Sequence, residues 1–149
     1  MENKPIFENS EVIYSSETIL ELSDAWIELI RAQAMKSPRK TSRLCLHKNK
    51  DSVLHQMLIM HNQKTKVPIH KHLLSDLYLH ALIGKAKLKF YTAEGELSKI
   101  IALGDKGFIY FRVPRDTFYT IHITSEWFLF KEMIAGPFKV ENNIKLHNS

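Results

Sequence analysis

From Arg43 to Ile134 the apolar residues recur at every second position, in short runs separated by turn signals. The clearest run is Lys85-Ala86-Lys87-Leu88-Lys89-Phe90. In an extended strand successive side chains point to opposite faces, so the three lysines meet water while Ala86, Leu88 and Phe90 meet a core. The same reading predicts strands at 43–48, 53–61, 66–72, 76–83, 85–92, 97–102, 107–113, 117–124 and 126–134. Thr92-Ala93-Glu94-Gly95-Glu96 and Gly104-Asp105-Lys106-Gly107 supply turn chemistry between them. Many short strands at regular spacing predict an all-β sandwich or barrel.

Before this region the period is helical. Asp24 to Met35 carries Trp26, Leu29, Ile30 and Gln33 at helical spacing, with acids early and bases late. Ser23 is placed to cap the helix and Ser37-Pro38 to stop it. The chain therefore divides into a helical head over 1–40, a β body over 41–138 and a C-terminal tail over 139–149. A basic connector holds Lys36, Arg39, Lys40 and Arg43, whose simplest reading is a solvated link.

A length of 149 residues suits one domain with a proper core. Lys and Arg exceed Asp and Glu by 21 − 16 = +5, a mild excess that suits an anionic small molecule. The aromatics follow core periodicity rather than a basic stripe, which argues against nucleic-acid binding. The single cysteine, Cys45, excludes an internal disulfide and, between Leu44 and Leu46, reads as a buried thiol. Met1-Glu2-Asn3-Lys4-Pro5 has no apolar signal core, and no apolar run reaches membrane-spanning length. The expectation is a cytoplasmic protein without a membrane partner.

The chemistry concentrates in Pro68-Ile69-His70-Lys71-His72, four residues before Asp76. On a strand His70 and His72 share one face with Cα atoms roughly 6–7 Å apart, so both imidazoles can converge on one ion. Asp76 would complete a three-ligand site for a divalent metal such as zinc, iron, manganese or nickel. Placed in the third strand of the body, the pair suggests a jelly-roll barrel with a ligand at its mouth.

Several ordered motifs point further. Arg43-Leu44-Cys45-Leu46-His47, Met57-Leu58-Ile59-Met60, Val67-Pro68-Ile69-His70-Lys71-His72, Phe90-Tyr91-Thr92-Ala93-Glu94-Gly95, Val113-Pro114-Arg115-Asp116 and Phe130-Lys131-Glu132 together resemble the WbuC-type cupin-fold metalloprotein family over residues 18–138. The resemblance implies an all-β cupin jelly-roll barrel with a short N-terminal helical segment, a role tied to surface-polysaccharide metabolism, and a homodimer that covers an open barrel edge.

Cupins place a glutamate soon after the second histidine and a third histidine in a later strand. Counting forward from His72 puts Asp76 in the glutamate slot, whereas counting back from Gly84 puts Leu77 there. The two registers face opposite side chains inward. In the forward register His80 becomes a deeper ligand. The later histidine slot holds Tyr119, with His122 on the opposite strand face.

Tyr119 admits a second reading. Some cupins that resemble nucleotide-sugar epimerases and ketoisomerases work without metal, and on that reading His70 or His72 is the base and Tyr119 the acid from the other side of the substrate. Arg39, Lys40, Arg43 and Lys71, or Arg112 and Arg115 beyond them, could then meet a diphosphate. His47, Arg43 and Tyr119 are the ligand-binding candidates, whereas His55 and His61 read as surface or edge residues. A third reading is a degenerate barrel kept as a binding module without chemistry.

Overall fold

The computed structural model describes residues 4–147. Its strands are β1 (Pro5–Phe7), β2 (Val12–Ser15), β3 (Thr41–Cys45), β4 (Leu54–Asn62), β5 (His70–His72), β6 (Leu77–Ile83), β7 (Lys85–Tyr91), β8 (Leu97–Gly104), β9 (Tyr110–Val113), β10 (Phe118–Ile123), β11 (Trp127–Ala135) and β12 (Asn143–Lys145), with helix α1 (Asp24–Lys36) between β2 and β3. One sheet runs β1-β2-β3-β4-β11-β6-β9 and the other β12-β5-β10-β7-β8. The two face each other across a shared core, which is the jelly-roll barrel that the alternation implied.

Strand β4 explains the construction. Met57 and Ile59 point into the barrel core, whereas Leu58 and Met60 point outward beneath α1. A strand covered on both faces reads as a continuous apolar run, which is what Met57-Leu58-Ile59-Met60 is. The outer layer is closed by Trp26, Ile30 and Ala34 of the helix with Ile13 of β2. Burying Trp26 and Ile30 stabilises the head by about 1.5–3 kcal/mol each.

The helix is where the sequence places it, but its stripe is Trp26, Ile30 and Ala34. Gln33 instead donates its side-chain amide to the Ser10 carbonyl at 2.9 Å. Ser23 occupies the N-cap position without a side-chain cap bond. All nine expected strands form. The third is shortened to His70–His72, since Pro68 offers no amide to the ladder. Three strands were not expected. β1 and β2 extend the first sheet ahead of the helix, β2 running parallel to β3, so the segment over 1–40 is part sheet and not only helical. β12 pairs with β5, so residues 143–145 belong to the barrel wall.

The β7–β8 hairpin ends on Gly104, paired with Lys85. Gly104 has φ +92, and a Cβ there would run into the carbonyl oxygen of Gly84. Gly104→Ala is expected to cost about 1–3 kcal/mol, read as a lower urea midpoint with an unchanged slope.

Candidate functional site

The barrel encloses a cavity of about 480 Å³. Its first wall is the inner face of β3, β4 and β11. Arg43 pairs with Ile59 and Cys45 with Met57 across β3 and β4, while Glu132 pairs with Met57 and Phe130 with Ile59 across β4 and β11. Pairing partners share a face, so Arg43 and Glu132 stand on the inner face on either side of β4. The opposite wall carries His70, His72 and Tyr119. The segment after β11 lines the cavity with Phe138 and Lys139, and β12 lines it with Asn143.

His70 and Tyr119 are register partners on β5 and β10, with ring centroids 4.6 Å apart. Nδ1 of His70 lies 2.7 Å from the Pro68 carbonyl oxygen. A carbonyl only accepts, so Nδ1 carries the proton and Nε2 keeps a free lone pair. Nε2 of His72 lies 3.0 Å from the Tyr119 hydroxyl. Burial lowers the proton affinity of both imidazoles, that of His72 to about 4 with His70 adding to the effect. Burial also pushes the Tyr119 phenol well above its usual value, and the nearby Glu132 carboxyl pushes it the same way. At neutral pH the site therefore holds two neutral imidazoles and an un-ionised phenol.

Glu132 carried no role in the sequence reading beyond its place in a motif, and it is the principal residue that reading missed. Phe128, Phe130 and Ile134 alternate with it and face the same way. A carboxylate at an inward position of an apolar alternation was the available signal. Burial raises its pKa, with the Arg43 guanidinium opposing that shift. It is the one acid lining the cavity among the described residues, against Arg39, Arg43, Lys139 and Lys145. Arg39 is partly committed, with Nε 3.6 Å from the Glu11 carboxylate.

Asp76 does not join the site. Its Oδ1 accepts the Arg115 amide at 2.9 Å and ties down the turn after β9. Leu77, Leu79 and Ala81 point into the core, so the register is the one counted back from Gly84. His80 accordingly lies on the other face, with its ring 5.9 Å from that of Tyr110. Tyr119 does stand in the barrel, 1% exposed, while His122 is exposed. Lys71 pairs with Asp116, and the Lys40 ammonium donates to the Met35 carbonyl. Among the expected anion contacts Arg39 and Arg43 line the cavity, whereas Arg112 and Arg115 do not.

The surface reading of His55 and His61 is corrected. Each is 6% exposed and lines the cavity. His61 Nδ1 pairs with the Thr41 hydroxyl at 2.7 Å, and burial followed by Arg43 and Arg39 lowers its pKa to about 3. His47 is not among the lining residues and stacks on His55 with centroids 3.9 Å apart.

These donors do not assemble a metal centre. Nε2 of His72 is engaged by Tyr119, the carboxylate expected from Asp76 is elsewhere, and no group of three His, Cys, Asp or Glu could hold an ion among the described residues. The donor set does not fit the three-ligand geometry that a catalytic site for zinc needs.

The buried neutral histidines have a consequence for stability. His72 and His61 bind protons less readily folded than unfolded, so the unfolded chain takes up more protons as pH falls below about 6.5. Stability is expected to be full above that value and to decline towards pH 4. Thermal midpoints between pH 7 and pH 4 check this, and a midpoint that rises on acidification would contradict it.

Residues 22–103 match the model of a family described as a domain of unknown function, DUF6016. That span holds Arg43, His70 and His72 but neither Tyr119 nor Glu132. No curated protein gives a significant match. Among solved structures, protein SO0799 from Shewanella oneidensis superposes with a TM-score of 0.62 at 12% identity, over 85% of each chain. An oxalate decarboxylase from Lactobacillus farciminis, solved as its formate complex, superposes with a TM-score of 0.52 at 14% identity, over 64% of this chain and 27% of that one. These likenesses concern the fold, and the fold is the cupin jelly roll. Among the described residues no helix is long and apolar enough to cross a membrane.

Proposed function

We propose that this chain, which belongs to the family described as a domain of unknown function (DUF6016), binds a small anionic sugar derivative in its barrel and moves a proton on it without a bound metal. The observation that carries the reading is the His72–Tyr119 contact of 3.0 Å on the wall of a cavity lined by more cations than acids. A neutral imidazole is a competent base near pH 7, and an un-ionised phenol is a competent acid. Nε2 of His70 takes a proton from the carbon beside a carbonyl, the electron pair moving onto the carbonyl oxygen. Tyr119 gives its proton to that oxygen, and the resulting phenolate is held by a hydrogen bond from His72 Nε2–H. As the enediol collapses, the Tyr119 phenolate takes the hydroxyl proton from the neighbouring carbon and His70 returns the first proton to the former carbonyl carbon.

His70 and Tyr119 are neighbours on one sheet, so acid and base approach the substrate from the same side. The expectation of an acid opposite the base is replaced by this geometry. Proton transfer on one face suits isomerisation between adjacent carbons, whereas inversion of a centre requires delivery from the other face. The resemblance to WbuC-type cupins extends the reading to phosphorylated or nucleotide-linked sugars of surface-glycan chemistry.

Incubation with a panel of anionic keto-sugars, keto sugar acids as well as phosphorylated and nucleotide-linked ones, in D₂O tests it, with exchange of the protons beside the carbonyl followed by NMR. Exchange that survives chelator is the expected result. Binding without exchange would reduce the barrel to a binding module, and neither binding nor exchange across the panel would overturn the proposal.

A further inference from the structure

Arg43 and Glu132 are the two residues of opposite charge type on the inner wall, beside His55 and His61, and the proton-transfer step uses neither. Among the described residues Arg43 forms no ion pair, and its side-chain polar contact is Nη1 to the Met57 sulfur at 3.9 Å. Glu132 has no hydrogen-bond partner among the described residues, although the Arg43 guanidinium is near enough to act on its carboxyl. The two flank Met57 and Ile59 and do not reach each other as an ion pair. A partly buried guanidinium beside apolar side chains and without an ion-pair partner can take an anion, because a charge withdrawn from water is costly unless it is paired.

A third unmet group lies on the same cavity. Oδ1 of Asn143 is buried and has no partner among the described residues. Asn143 is the register partner of His72, which places it beside the acid–base pair.

We infer that this wall is a carboxylate subsite and that the ligand is a sugar acid, its carboxylate held by Arg43 and Glu132 and one of its hydroxyls donated to Asn143. This inference rests on the anionic-sugar reading above and specifies it. A guanidinium presents a planar fork that matches a carboxylate bidentately. Burial favours the protonated form of Glu132, and in that form its carboxyl donates to the second carboxylate oxygen rather than repelling it. The charge count favours a carboxylate over a phosphate. One guanidinium among Met57, Ile59 and Phe130 neutralises a monoanion, whereas a phosphate dianion would remain half-compensated in apolar surroundings. Neither lysine stands on this wall: Lys139 lies between β11 and β12, and Lys145 ends β12 as the register partner of His70.

The test titrates ¹⁵N-labelled protein with glucuronate, glucose 6-phosphate and glucose while the Arg43 Nε–Hε resonance is followed. Glucuronate is expected to shift it saturably and to bind at least about tenfold tighter than the phosphate. Arg43→Met, which keeps the apolar stem, is expected to lose at least about tenfold of that affinity, with Arg43→Lys recovering part of it. Glu132→Gln retains a neutral donor and is expected to bind glucuronate within about threefold of the parent, whereas Glu132→Leu loses binding. Phosphate binding as tight as glucuronate, no saturable shift with any probe, or indifference to Arg43→Met would each overturn the carboxylate subsite. The D₂O exchange panel reports separately on the proton-transfer reading, so the two can fail independently. Amide spectra confirm that each variant is folded.

Discussion

Tyr119→Phe is expected to slow proton exchange into a bound keto-sugar by about 10²–10⁴-fold, the range that one positioned acid or base supplies. The substitution removes one oxygen and leaves the ring, so the packing against His70 survives. What disappears is the proton that His72 and Tyr119 share at 3.0 Å. His72 Nε2 is then left without a partner in a buried setting, which costs about 1–3 kcal/mol of stability. A merely structural tyrosine would show that stability loss alone. A catalytic one also lowers the exchange rate at saturating ligand while affinity changes little. Exchange within about threefold of the parent would remove Tyr119 from the mechanism and leave the acid to be found elsewhere.

Phe128→Ala is expected to lower the unfolding free energy by about 3–5 kcal/mol. Phe128 has no exposed surface, stacks on Phe130 with centroids 5.2 Å apart, and is the register partner of His61 across β4. It fills the inter-sheet core beside the closed end of the cavity wall, where neighbours held by two ladders cannot collapse into the space left behind. Domains of this size hold about 5–15 kcal/mol, so the loss is a large share of the total. Urea unfolding measures it directly. Phe128→Leu retains most of the volume and is expected to lose much less. A loss below about 1 kcal/mol for the alanine variant would show that the two sheets are not coupled through this residue.

Legibility in the sequence followed how local the determining interactions are. The alternation of Lys85 to Phe90 appears unchanged in β7, with Ala86, Leu88 and Phe90 buried. His70 and His72 share a strand face, as a two-residue spacing requires. Short pieces whose pairing is set by distant partners could not be read. β1, β2 and β12 are three or four residues long, too short to show a period. β12 forms because β5 offers a free edge far away in sequence.

His55 and His61 misled for a related reason. Polar residues at the ends of an apolar run read as solvent-facing ends, yet here the run continues beneath β3 and β11, and both histidines are enclosed. The position of Asp76 turned on one residue of register. That was decided by Leu77 and Leu79 seeking the core, while the Arg115 amide captured the carboxylate.

A β barrel with a helix packed on its outside, and two histidines on one strand face, are legible in the order of residues alone. Those outcomes follow from side-chain period and from the apolar surface each element must bury. Only the tertiary structure decided which groups meet inside. Tyr119 reaches His72 and Glu132 faces the same cavity because strands distant in sequence close around it, and a contact between strands is set by sheet pairing that no local spacing encodes.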